Sequence, residues 1–232
     1  MKVLFNADDF GLTRGITDGV IESHVNGIVD STTLMMNGLA VEHAVLAAKK
    51  TPSLKVGIHL VLTWGKPLSK DVPDLINEDG FFKYRNNFAQ SEIPNVEQVE
   101  LEWRTQIEAF LKTGLELHHI DSHHHIHGWA PLKDVVLELA KKYNVPVRKV
   151  DSLTDHPEIL LSKELYVDFY GAGVNEDIFE KLNKLEVDSV EVMCHPGYAD
   201  DELRSVSSYT DLREKEMDIL CGLRRPKWAI EF

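Results

Sequence analysis

Lys2-Val3-Leu4-Phe5-Asn6, followed by Ala7-Asp8-Asp9-Phe10-Gly11 and then by the amphipathic run Arg14–Asn26, is the stretch on which the fold turns. It reads as a short apolar strand, a sharp polar turn and a helix. The same unit recurs along the chain. Ile28–Met35, Lys55–Leu62, Glu116–Asp121, Pro146–Val150, Ser189–Cys194 and Lys227–Glu231 read as further strands. Val41–Lys50, Val96–Thr113, Leu132–Tyr143, Glu176–Lys184 and Asp211–Leu220 read as further helices. In Val96–Thr113, Val99, Trp103, Ile107 and Phe110 fall at helical spacing. Asn26-Gly27 and Thr51-Pro52-Ser53 are helix stops. Repeated strand–helix alternation predicts an α/β protein with a parallel sheet and helices outside it. With no break in composition, residues 1–232 are expected to form a single-domain (β/α) barrel, with a doubly wound open sheet as the second choice. Thr63–Ile93, with its Gly, Pro and aromatic residues, is too long for a plain connection and reads as a lid or small subdomain.

In either architecture ligands bind beyond the carboxyl ends of the strands. Three polar fragments fall at such ends. Asp8-Asp9 follows the first strand, His59 lies late in Lys55–Leu62, and His123 follows Glu116–Asp121. The third opens into His118-His119-Ile120-Asp121-Ser122-His123-His124-His125-Ile126-His127, which holds six of the eleven histidines. Imidazole is the commonest side-chain ligand for divalent metals. An isolated Asp-Asp pair more often caps a helix, and an isolated histidine in an apolar strand more often sits satisfied in the core. Their shared placement favours a metal site instead. Of the two aspartates, one can bind metal while the other faces substrate as a base. An extended tract would put Asp121, His123, His125 and His127 on one face, whereas a helix would align His123 with His127. Both registers keep His123. Arg148 and His195 reach the same rim. Arg148 could pair with Asp151 or hold a carboxylate ionised, and His195 could be a turn residue or an acid. Two imidazoles and a carboxylate favour Zn²⁺ or a similar late transition metal.

The net charge of −13 disfavours nucleic acid and anionic membrane surfaces as partners. A 43% hydrophobic and 27% charged composition is that of a globular protein with a core. No apolar run approaches the roughly 20 residues needed to span a bilayer, and the amino terminus does not read as a signal peptide. Cys194 and Cys221 are therefore expected as free thiols in a cytoplasmic protein.

The chain resembles the YdjC-like family of carbohydrate deacetylases, typified by chitooligosaccharide deacetylase. The likeness rests on Asn6-Ala7-Asp8-Asp9-Phe10-Gly11-Leu12, Asn26-Gly27-Ile28-Val29 with Ser31-Thr32-Thr33, Gly57-Ile58-His59-Leu60-Val61-Leu62-Thr63, Ile120–His127 and Glu191-Val192-Met193-Cys194-His195-Pro196. It implies a distorted barrel related to that of polysaccharide deacetylases, often as a homodimer. The implied reaction removes the acetyl group of an N-acetylated amino sugar such as diacetylchitobiose or its phosphate. Asp9, His59 and His123 would hold one divalent ion per chain (Mg²⁺ in descriptions of the family), with Asp8 as the base. Arg148 would keep that base ionised, and His195, or His125 or His127 of the tract, would protonate the leaving nitrogen. Asp121 would orient a ligand histidine. Members usually run on past the last helix, where this sequence stops at Phe232, so closure of the fold there is open. The alternatives are a metallohydrolase of another amide or phosphoester and a non-catalytic, metal-dependent carbohydrate binder.

Overall fold

The computed structural model describes residues 1–232. Six strands form one sheet: β1 (Lys2–Phe10), β2 (Ser31–Leu34), β3 (Lys55–Leu60), β4 (Ile120–Ser122), β5 (Glu164–Tyr166) and β6 (Ser189–Cys194). Their order is β4-β3-β2-β1-β6-β5, every pairing is parallel, and the sheet curls into a half-barrel. Around it lie α1 (Arg14–Val25), α2 (Val41–Lys50), α3 (Val96–Lys112), α4 (Lys133–Tyr143), α5 (Ile178–Leu182), α6 (Asp201–Val206) and α7 (Asp211–Gly222). None of these helices is long and apolar enough to cross a membrane.

The two edges of the sheet are drawn toward each other by single-residue bridges. Ile120 pairs with Val147 and Val147 with Leu160, four residues before β5. The expected strand Pro146–Val150 is thus one bridged residue, since Pro146 has no N–H to give to a ladder. Lys227–Glu231 is likewise reduced to Ile230, which pairs with Lys2. It occupies the edge of β1 that β2 leaves open below Ser31. Glu116–Asp121 shortens to its last residues plus Ser122. β5 and α6 were not foreseen, being too short to show a period.

Both faces of the sheet are covered, so β1 is buried from Val3 to Phe10. Side chains alternate across it. Val3, Phe5 and Ala7 belong to the outward, helix-covered set, and Phe5 meets Phe179 of α5 edge to face. The inward set is polar: Asn6 and Asp8 on β1, Ser31 and Thr33 on β2, His59 on β3, Asp121 on β4 and Glu191 on β6. Ser31 Oγ donates to Asn6 Oδ1 at 2.6 Å, and Thr33 Oγ1 to Asp121 Oδ2 at 2.9 Å. The half-barrel therefore encloses a buried hydrogen-bonded network above an apolar floor.

Gly57, between two such positions, has a packing reason. A Cβ there would stand 2.6 Å from both the ring Nδ1 and the carbonyl oxygen of buried His119. Gly57→Ala is expected to destabilise the protein by about 1–3 kcal/mol through overpacking. Urea unfolding would show this as a lower midpoint at unchanged slope.

Thr63–Ile93 is anchored on α3 rather than hanging free. Glu102 accepts the N–H groups of Leu68 and Ser69, Gln98 accepts that of Asp74, and Leu75, Phe82 and Tyr84 are buried. Cys194 and Cys221 are both free thiols.

Candidate active site

Asp8 and Asp9 lie near the carboxyl end of β1, just before Phe10, and the ladder to β2 is irregular there. Asp9 has φ 66°, a left-handed conformation in a non-glycine residue. After β4 the chain turns into a 3₁₀ segment, His123–Gly128, in which His124 and His125 have φ 57° and 54°. Neither of the two registers expected for the tract is formed. Such conformations cost on the order of 1–3 kcal/mol each and persist where surrounding structure enforces them, often at functional sites. Three of the four non-glycine residues with positive φ meet here.

The turns bring Asp9, His59 and His123 together, with one donor atom of each within 4.8 Å of the others. His123 Nδ1 is 3.0 Å and His59 Nε2 3.4 Å from Asp9 Oδ1. Two donors each about 2.0–2.1 Å from an ion at tetrahedral or octahedral angles stand about 2.8–3.4 Å apart. These three residues therefore fit a divalent cation. The other ring nitrogen of His59, Nδ1, donates to Asp121 Oδ1 at 2.7 Å, which turns Nε2 toward the shared centre.

The second aspartate has different company. Asp8 Oδ2 accepts from Arg148 Nη1 at 2.7 Å and Asp8 Oδ1 from Nη2 at 2.6 Å, a two-pronged contact. Arg148 Nη2 is also 2.9 Å from Asp121, and its Nε donates to Glu191 at 2.8 Å. Asp151 is not its partner. One wholly buried guanidinium thus serves three buried carboxylates.

Burial alone would raise the pKa of Asp8, but Arg148 outweighs it and holds the carboxyl well below its usual range. Asp9 is held low in the same way, against its burial, by Arg213 and His123. For Glu191 burial prevails over Arg148 and pushes the carboxyl up to about 7. His59 moves the other way from most histidines here. Burial lowers it, yet Asp121, Asp9 and Asp8 together raise it to about 10 in the metal-free protein. Because that value is raised, its protonated pairing stabilises the metal-free fold below pH 6.5 and fades as pH rises through 10. An ion at Nε2 must displace a proton, so affinity should fall as pH is lowered from 10. Calorimetric titrations at pH 7 in buffers of different ionisation heat should show about one proton released per ion. No release would contradict this assignment of His59.

A cavity of about 460 Å³ opens on these groups, lined by Asp8, Asp9, His59, His123, His125 and His195 among others. His195 is lowered to about 4 and His125 to about 3, chiefly by burial, so both are neutral at pH 7. The Nδ1 atoms of both lack a hydrogen-bond partner. His127 lies outside the cavity with both ring nitrogens engaged, by Ser122 Oγ at 2.5 Å and the Arg148 carbonyl at 3.3 Å. The sequence reading missed Arg213, whose Nη2 donates to Asp9 Oδ2 at 2.6 Å from α7. It also missed the aromatic wall of Tyr170 stacked on Tyr209, with ring centroids 4.2 Å apart. A charged residue sharing a helical face with Met217 and Leu220 was the available signal for Arg213.

A parallel half-barrel with an Asp–His–His cluster and an arginine-bound aspartate at its carboxyl rim defines an α/β protein with a candidate metal-ion centre. The chain belongs to the YdjC-like protein family, whose model matches residues 2–229. It is 55% identical to a carbohydrate deacetylase of Oceanobacillus iheyensis over 99% of this chain and all of that one. It is 41% identical to another of Halalkalibacterium halodurans, with 97% of each covered. Among solved structures, an Enterococcus faecalis protein to which cleavage of cellobiose phosphate has been ascribed by name superposes with a TM-score of 0.89. That protein is 34% identical, with 95% of this chain and 90% of it covered. A lactam utilization protein of Thermus thermophilus shares the fold at a TM-score of 0.53 and 14% identity, with 95% of each covered.

Proposed function

We propose that the protein, as one domain, is a metal-dependent hydrolase that removes the acetyl group of an N-acetylated amino sugar. The observation that carries this reading is the meeting of Asp9, His59 and His123 beside an arginine-held Asp8 in one cavity. The names of the relatives supply the substrate class. The bound ion, Zn²⁺ on donor chemistry or Mg²⁺ on family likeness, would polarise the acetyl oxygen and lower the pKa of a nearby water.

The protein's own groups do the rest. Asp8, ionised at neutral pH, takes a proton from the attacking water, and Arg148 fixes its orientation. His195 hands a proton to the departing nitrogen. Since His195 is neutral at rest, that proton is the one Asp8 has taken. Both groups line the same cavity, and the proton passes within it from Asp8 to His195. His125 stands ready on the same wall.

The metal cavity continues past Trp64 and His124 into a larger one of about 940 Å³, walled by Thr63–Leu68, Phe81 and Arg85. In a chain of net charge −13, no carboxylate lines that outer space, while Lys66 and Arg85 do. It suits the rest of an oligosaccharide, including one bearing a phosphate. The test is acetate release from diacetylchitobiose and its phosphate by protein stripped with chelator and reloaded with Zn²⁺ or Mg²⁺. Metal-dependent release supports the reading. Silence on all acetylated amino sugars, with turnover of a phosphoester, would replace it.

A further inference from the structure

Arg213 is buried on α7, yet it lines the metal cavity together with Asp9, His59 and His195. Its guanidinium is only partly used. Nε donates to the Tyr209 carbonyl at 2.9 Å, Nη2 donates to Asp9 Oδ2 at 2.6 Å, and the Tyr209 ring centroid is 5.4 Å from its central carbon. Nη1 has no hydrogen-bond partner although it is buried. A guanidinium carries five N–H donors in a fixed plane, and a buried donor left unpaired is costly. A fixed cation next to a site suited to a cation is costly as well. Holding Asp9 so that Oδ1 alone faces the histidines would need only Nη2.

We propose that Nη1 is kept free for the substrate: it donates to the acyl oxygen as negative charge develops there, and to the carboxylate of the released acid. Arg213 is then a residue that contacts the reacting group, beyond its grip on Asp9. The inference rests on the hydrolase reading, in which water's oxygen bonds to the acyl carbon, the C–N bond breaks and the amine leaves with a proton. A donor of this kind acts where oxyanion charge appears and adds little to the ground state.

The test compares Zn²⁺-loaded wild type with Zn²⁺-saturated Arg213→Lys and Arg213→Gln. Metal content is measured by elemental analysis and acetate affinity by calorimetry. With one Zn²⁺ per chain retained, both variants are expected to bind acetate at least about tenfold more weakly. Their kcat should fall about 10²–10³-fold, with KM changed much less. Unchanged acetate affinity at full metal occupancy would overturn the proposal and leave Arg213 a holder of Asp9, as would a wild type that does not bind acetate. Should the variants not fold, a crystal structure of wild type with Zn²⁺ and acetate decides. A carboxylate oxygen within hydrogen-bond distance of Nη1 supports the proposal, and acetate bound elsewhere overturns it. If wild type binds acetate at Arg213 but releases none from acetylated sugars, the deacetylase reading fails and this assignment stands. If it releases acetate and the variants match it, only this assignment fails.

Discussion

Asp8→Asn is expected to lower kcat for acetate release by about 10²–10⁴-fold, the range that general-base help supplies, while metal content stays at the wild-type level. The amide has the carboxylate's shape but cannot serve as the base. The substitution should also leave the fold standing. Arg148 keeps Asp121 at 2.9 Å and Glu191 at 2.8 Å, so its charge remains compensated after Asp8 loses its own. Asp9, His59 and His123 keep their mutual distances. Elemental analysis beside a steady-state acetate assay separates the two effects. Full turnover with Asn at this position would mean that another group removes the proton.

Arg148→Leu should have the largest effect on stability, a loss of about 3–5 kcal/mol near pH 7. The side chain is wholly buried and is the only guanidinium in contact with Asp8, Asp121 and Glu191. Removing it leaves three buried carboxylates close together with no cation to offset their charge. The pH dependence has a definite sign. In wild type the depressed pKa of Asp8 gives stability that is present above its unfolded value, about 3.9, and is lost as pH falls below it. In the variant that contribution is absent, and the carboxyls can relieve their repulsion by taking protons. The deficit is therefore greatest at neutral pH and narrows toward pH 4. Urea midpoints for the two proteins at several pH values would show it. A deficit that does not change with pH would mean that Arg148 acts by packing rather than by charge.

The parts of this molecule that were legible in the sequence are those that local pattern controls. Strand–helix alternation gives the parallel α/β architecture, and the placing of Asp8-Asp9, His59 and His123 at strand ends brings three remote fragments to one rim. Strands taken simply as apolar runs hide the inward alternation. Asn6 and Asp8, Ser31 and Thr33, Gly57 and His59, His119 and Asp121 each stand two residues apart, the spacing that lines one face of a strand. Read as pairs, they announce a polar interior before any coordinates exist.

Other features lie beyond local pattern. The left-handed turns at Asp9, His124 and His125 are imposed by what the surrounding chain packs against them, so no period reveals them. Arg213 reaches Asp9 across 204 residues of sequence. The shortness of β5 follows from closing a curled sheet with few hydrogen bonds, and Pro146, which has no N–H, limits Pro146–Val150 to one bridged residue. The resemblance to a family supplied roles for single residues, which geometry can seat but only experiment can assign.

The most direct measurement is anomalous diffraction at the zinc edge from crystals of the wild-type protein grown with Zn²⁺. A single strong peak is expected, about 2.0–2.2 Å from Asp9 Oδ1, His59 Nε2 and His123 Nδ1. Ions bound only to exposed histidines, with no peak between these three atoms, would contradict the account.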